Sequence, residues 1–241
     1  MGTMKILATV IVLTLCLFVG SSYAADRYDW SGIYGGASIG YVHGAQDWTL
    51  GRTNFWGTKG DDRNFTFNQF DIGGHLGAQY QWKWLVLGGE GGIFKGPHDE
   101  QSKPSGHLAY VTTDEWRADI HTIAKVVAKV GFAYDRFLGY AKGGYAGAFC
   151  DTETRYNILT PPAAAHPNTT EWRNGWTVGG GVEYALFKHW IIGVEYSYID
   201  LGKKAQQTGN IILGGGNSSD MKVDAAMHQV LFRVSYKFDV F

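Results

Sequence analysis

The chain has 241 residues and a formal net charge of −1, from 21 Lys+Arg against 22 Asp+Glu, so it offers no basic field for nucleic acid. Charged residues are only 18% of the chain, aromatics are 15% and glycine occupies 34 positions; ordinary soluble domains run near ~25% charged and ~7% glycine. Beyond the N-terminal segment no run approaches the ~18 apolar residues of a spanning helix, which excludes a helical membrane bundle and favours an all-β chain.

The N-terminus reads as an address. Lys5 precedes an apolar run from Ile6 to Val19, followed by Gly20, Ser21 and the small-x-small triplet Ser22-Tyr23-Ala24. This is the layout of a secretory signal peptide over residues 1–24, leaving residues 25–241 as one mature domain. Cleavage would remove Cys16 and leave Cys150 alone, so no internal disulfide is expected.

Eight strands follow. A glycine-rich segment, Ser31 to Val42, carries Ile33, Ala37, Ile39 and Tyr41 on one parity. Gln69 to Trp82 sets Phe70, Ile72, Leu76, Ala78, Tyr80 and Trp82 against Gln69, Asp71, His75, Gln79 and Gln81. After Leu85 to Phe94 comes Trp116 to Tyr134, where Val126, Ala128, Val130 and Phe132 oppose Lys125 and Lys129. Phe137 to Phe149, Trp172 to Leu186, Trp190 to Asp200 and a final strand ending at Phe238 complete the set. Period two gives each strand one oily and one wet face.

The turns test this assignment, because residues flanking a tight hairpin share a face. Turns at Lys83-Trp84 and Asp135-Arg136 set Trp82 opposite Leu85 and Tyr134 opposite Phe137. A three-residue turn, Phe187-Lys188-His189, sets Leu186 opposite Trp190. Each of these pairs is apolar. The other connections are long, from Gly44 to Asn64, Lys95 to Thr112, Asp151 to Thr170 and Gly202 to Lys222. Short turns alternating with long loops, and aromatics such as Trp82, Trp84, Tyr134 and Trp190 near the short turns, suit an outer-membrane barrel with an aromatic girdle.

Trp30 to Gly36 (WSGIYGG), Phe132 to Ala148 (FAYDRFLGYAKGGYAGA), Gly175 to Ala185 (GWTVGGGVEYA) and Trp190 to Gly202 (WIIGVEYSYIDLG) resemble the eight-stranded outer-membrane β-barrel proteins of Gram-negative bacteria, in particular porin-family and opacity-like surface antigens. The resemblance implies an antiparallel transmembrane barrel in the cell outer membrane. Its implied surroundings are membrane lipid and lipopolysaccharide. It also implies an aromatic insertion signal for the barrel-insertion machinery, with Phe238 and Phe241 as the two candidates.

The wet parity would line the lumen with Asp71, Glu90, Lys125, Lys129, Lys142, Glu183, Glu195, Arg233 and Lys237. An eight-stranded barrel is just filled by its side chains. Unpaired charge there is costly, so Lys142, Glu183, Glu195 and Arg233 are expected to form one charge network. Gly73, Gly77, Gly143, Gly144, Gly179 and Gly181 are expected to make room for large lumen side chains. His228 and Ser235 fall on opposite faces, so no nucleophile is activated there. No cofactor or metal is expected, since the histidines have no ligand spacing. The function this reading supports is non-enzymatic: envelope integrity and display of surface loops. The alternatives are a small-solute porin and a receptor binding haemin or a host molecule through its loops, with His98 and His107 in the second long loop and His43 near the start of the first.

Overall fold

A computed structural model describes residues 28–50, 62–96, 101–104, 115–155, 168–208 and 219–238. Among these there are nine strands: β1 (Gly32–Leu50), β2 (Asp62–Trp82), β3 (Leu85–Lys95), β4 (Gln101–Pro104), β5 (Glu115–Tyr134), β6 (Phe137–Arg155), β7 (Asn168–Ala185), β8 (Trp190–Thr208) and β9 (Ser219–Phe238). All pairings are antiparallel. β1 bonds to both β2 and β9, and β3 bonds to both β2 and β5, so the sheet closes on itself. β3 and the short β4 lie one after the other along β5 and share one place in the wall, which makes the barrel eight-stranded.

The stagger follows from the register. Stepping sideways from Gly35 leads to Leu76, Gly91, Val126, Tyr145, Trp176, Asp200 and Ala226, and returns to β1 at Ala45, ten residues further on. Eight strands with that stagger tilt by about 40° from the barrel axis, at ~3.3 Å rise and ~4.8 Å strand spacing. The resulting radius, about 8 Å to the backbone, leaves an interior that side chains fill.

The three predicted short turns are present. Trp82 pairs with Leu85 and Tyr134 with Phe137. Ala185 pairs with Ile191 and the Leu186 amide donates to the Trp190 carbonyl at 2.9 Å, which seats the third turn as expected. Lys83 opens its turn at φ 58 and Asp135 at φ 51, the left-handed region. A side chain there costs ~1–2 kcal/mol, partly offset by glycine's own entropy loss. Lys83→Gly is therefore expected to stabilise the barrel by up to about 1 kcal/mol, read as a higher urea midpoint. A lower midpoint would mean that the lysine side chain itself holds the turn.

The strands run further toward the loops than alternation indicates. β1 runs to Leu50, β6 to Arg155 and β8 to Thr208, while β7 begins at Asn168 and β9 at Ser219. β4 lies inside a segment expected to be loop. The missing signal is physical. Stretches such as Lys203-Lys204-Ala205-Gln206-Gln207 are polar at all positions but Ala205, so alternation vanishes while the backbone ladder continues. Register shifts at Ile120/Thr122 and Asp200/Lys203 mark where β5 and β8 enter this polar extension.

The outer wall carries exposed apolar side chains in a continuous band, among them Ile39, Ile72, Leu76, Val126, Val130, Val194 and Phe232. Aromatics rim it at both edges. Near the short turns Trp84 packs 5.5 Å from Phe132 and Trp190 5.4 Å from Tyr236. At the far edge Tyr41 packs 5.6 Å from Phe70 and Phe149 4.7 Å from Trp172. Twelve residues separate Phe70 from Trp82 on β2, about 30 Å along the axis at this tilt, the thickness of a bilayer's hydrocarbon core. Phe238 ends β9 on this outer face, in step with Phe232 and Val234, whereas Phe241 lies outside the described residues. The signal-peptide segment does too.

Candidate functional site

The lumen is stratified. At the short-turn end lies an apolar layer of Trp30, Val86, Ala133, Leu138, Tyr140, Ala185 and Ile191. At the loop end lies a second, which includes Val42, Phe94, Ile123, Cys150, Ile199, Met227 and Leu231. Between them sit most of the buried charged side chains, while Lys237 lies at the short-turn mouth and Arg173 stands in register with Ala148 of the loop-end layer. Every lumen position expected from parity is buried: Asp71, Glu90, Lys125, Lys129, Lys142, Glu183, Glu195, Arg233 and Lys237.

Arg233 is the hub. From β9 its fork reaches two carboxylates, Glu195 on neighbouring β8 and Glu90 on β3 across the lumen. Its Nη1 also donates to Tyr140 Oη at 3.2 Å. Lys142 Nζ bridges the same carboxylates, at 2.6 Å from Glu195 and 3.2 Å from Glu90. Lys125 Nζ lies 3.4 Å from Glu195 and donates to Gln229 Oε1 at 2.7 Å. Gln229 in turn donates to Asp71. Two tyrosines close the cluster: Tyr34 Oη donates to Glu90 at 2.9 Å and Tyr140 Oη to Glu195 at 3.0 Å.

Glu183 is not part of this hub. Its partner is Lys129, 2.8 Å away, which also donates to Gln79 Oε1 at 3.2 Å. The Lys129 ammonium lies 4.2 Å from the Tyr140 ring centre and 5.1 Å from that of Tyr34, so the rings separate this pair from the hub. Of the four residues expected together, the structure joins Lys142, Glu195 and Arg233. It adds Glu90 and Lys125 and seats Glu183 one layer lower.

Local sequence makes room for this packing. A Cβ on Gly77 would sit 2.6 Å from the Tyr34 Cζ, and one on Gly181 would sit 2.8 Å from the Tyr140 hydroxyl. Both distances are below van der Waals contact, so these two inward glycines are the slots into which the network tyrosines fit. Gly143 departs from the expectation: it shares the outward parity of Ala141 and Tyr145 and faces no large lumen side chain.

A serine–histidine contact does occur, though not the pair weighed from sequence. His75 lies 2.7 Å from Ser235 Oγ through Nε2 and 3.1 Å from Ser38 Oγ through Nδ1. A hydrolytic triad puts a carboxylate at the second nitrogen and opens the serine to substrate. Here a second serine takes that place, and all three side chains are buried. His228 faces outward and bonds to Tyr196 Oη at 2.7 Å. His43 stands opposite it in the register and bonds to Asn68 Oδ1 at 2.6 Å. No group of three or more metal-ligating side chains occurs among the described residues. His98 and His107 lie outside them.

Comparison with known proteins agrees with this geometry. The family described as "Outer membrane protein beta-barrel domain" matches residues 12–238. The 31 kDa outer-membrane immunogenic proteins of Brucella melitensis and Brucella suis are each 28% identical over 222 residues, covering 88% of this chain and 85% of theirs. Among solved structures, the outer membrane protein OprG from Pseudomonas aeruginosa superposes with a TM-score of 0.57 at 10% identity, over 88% of this chain and 98% of that one, a likeness of fold.

Proposed function

This chain belongs to the outer membrane protein β-barrel domain family, and from that premise we propose that it is a non-enzymatic wall protein of the outer membrane, supporting envelope integrity and presenting four loops at the cell surface. The observation that carries this reading is the filled lumen. A charged layer lies between two apolar layers, and a hydrated ion crossing either apolar layer would lose its water without compensation. That geometry favours a sealed barrel over a small-solute porin. The immunogenic relatives in Brucella support display at the surface.

In this reading the long connections face outward and the short turns face the periplasm, as in barrels of this kind. Lipid and lipopolysaccharide surround the band, and Phe238, with Phe241 beyond it, is what the insertion machinery reads. Protease added to intact cells is expected to cut near Lys203, whose side chain is 75% exposed, and to spare Lys83 and Arg136. Cleavage at the short turns with the long loops intact would invert the orientation. For the role itself, a strain lacking the chain should become sensitive to bile salts and detergent, and regain resistance when the chain is restored. Unchanged resistance combined with loss of uptake of a small solute would contradict it.

A further inference from the structure

The four residues ahead of β1 are not a loose end. Trp30 is fully buried in the short-turn mouth of the barrel. Its backbone N–H donates to Gln81 Oε1 at 2.8 Å and its carbonyl accepts from Gln79 Nε2 at 2.9 Å. Its indole Nε1 donates to the Asp135 carbonyl, in the β5–β6 turn, at 3.3 Å. Tyr28 Oη donates to the Lys188 carbonyl, in the β7–β8 turn, at 3.2 Å. Gln81 also donates through Nε2 to the Lys83 carbonyl, in the β2–β3 turn, at 2.7 Å. Lys237 of β9 donates to the Asp29 carbonyl and lies 4.5 Å over the Tyr28 ring. One short segment thus meets two of the short turns and the last strand directly, and reaches the third turn through Gln81.

Gly32 lets the chain make this entry. Its φ is +138, a region that side chains rarely adopt, and a Cβ there would sit 3.1 Å from the Phe238 carbonyl oxygen. The segment before it swings under the barrel mouth, and β1 begins immediately after.

We propose that residues 28–31 are a strap that seals the periplasmic mouth of the lumen, with Trp30 as its stopper and Gly32 as its hinge. This rests on the sealed-barrel reading and adds which element closes that end. Trp30 is also the floor of the polar column. Gln79 holds the Trp30 carbonyl with its amide N–H and Lys129 with its amide oxygen, so lifting the strap frees the Gln79 amide N–H and lets water reach the Lys129–Glu183 pair. The loop-end apolar layer remains in place, so lifting the strap opens the lower lumen without making a through-pore.

The test is thiol labelling of the refolded mature barrel in vesicles, with a small charged methanethiosulfonate reaching the short-turn side. Two single-cysteine proteins are compared, one with Leu138→Cys in a Cys150→Ala background and one with the native Cys150. Leu138 is fully buried in the layer with Trp30, and Cys150 is buried in the opposite layer. Trp30→Ala is expected to speed labelling at position 138 by about tenfold or more, since only local opening limits it, and to leave Cys150 unchanged. An unchanged rate at 138, or equal acceleration at both sites, overturns the strap. If Trp30→Ala does not fold, as judged by loss of the heat-modifiable band, the double variant Tyr28→Phe/Lys237→Met decides. It keeps the stopper but cuts two tethers, and labelling at 138 should rise severalfold; no rise overturns the proposal. Steady conductance of the unaltered barrel would instead defeat the sealed-barrel reading itself.

Discussion

Arg233→Ala is expected to remove about 3–5 kcal/mol from the barrel's stability, the range found when one partner of a buried charge pair is deleted. The guanidinium is 2% exposed and holds two carboxylates, Glu90 and Glu195, from opposite sides of the lumen. Truncation leaves both carboxylates buried with Lys142 as their one shared cation, and Lys125 as a second neighbour of Glu195 alone. Tyr140 also loses a bonding partner. Urea titration of the refolded protein in vesicles measures the loss. Lys203→Ala is the matched control, since its pair with Asp224 at 3.2 Å is solvent-exposed and worth at most ~1 kcal/mol. A loss for Arg233→Ala no larger than that of Lys203→Ala would show that the hub does not hold the strands together.

Val126→Arg comes next in size, with a cost of roughly 2–4 kcal/mol for arginine on the lipid face near the bilayer midplane. Val126 is 65% exposed, lies mid-way along β5 and is flanked in the register by Gly91 and Tyr145. Its neighbour Lys125 carries a cation one residue away, yet it is buried against Glu195 and Gln229. The same charge is therefore tolerated on one face and expelled from the other. Depth supplies the control: Tyr134→Arg, at the short-turn edge, should cost only ~0–1 kcal/mol. Equal costs at Val126 and Tyr134 in a refolding titration would place the hydrocarbon band elsewhere on the wall.

Alternation made the membrane-crossing part of each strand legible. Val126 and Lys125 could be assigned to opposite faces because a strand turns its side chains through half a circle at each residue. The short turns were legible because Trp82/Leu85 and Tyr134/Phe137 had to share a face. Partner choice inside the lumen was harder. Strand adjacency groups Glu183 with Arg233 and Lys142, but contacts in a narrow barrel also run across it: Arg233 on β9 meets Glu90 on β3, 143 residues away in sequence. Such a contact depends on stagger and tilt, which fix the height of each side chain, and parity alone carries neither. The apolar layers were missed for a related reason. Leu138, Ile199 and Leu231 occupy the inward parity, where a polar lining was expected. Trp30 gave no periodic signal, since it lies outside the ladder and is placed by hydrogen bonds to Gln79, Gln81 and Asp135.

The stratified lumen predicts a barrel that does not conduct. Refolded mature protein inserted into a planar bilayer should add no steady current steps at moderate voltage, because both apolar layers must be crossed. Insertion is confirmed independently by the heat-modifiable band of the same preparation. Regular, long-lived steps from the unaltered protein would contradict the sealed lumen and put the small-solute porin in its place.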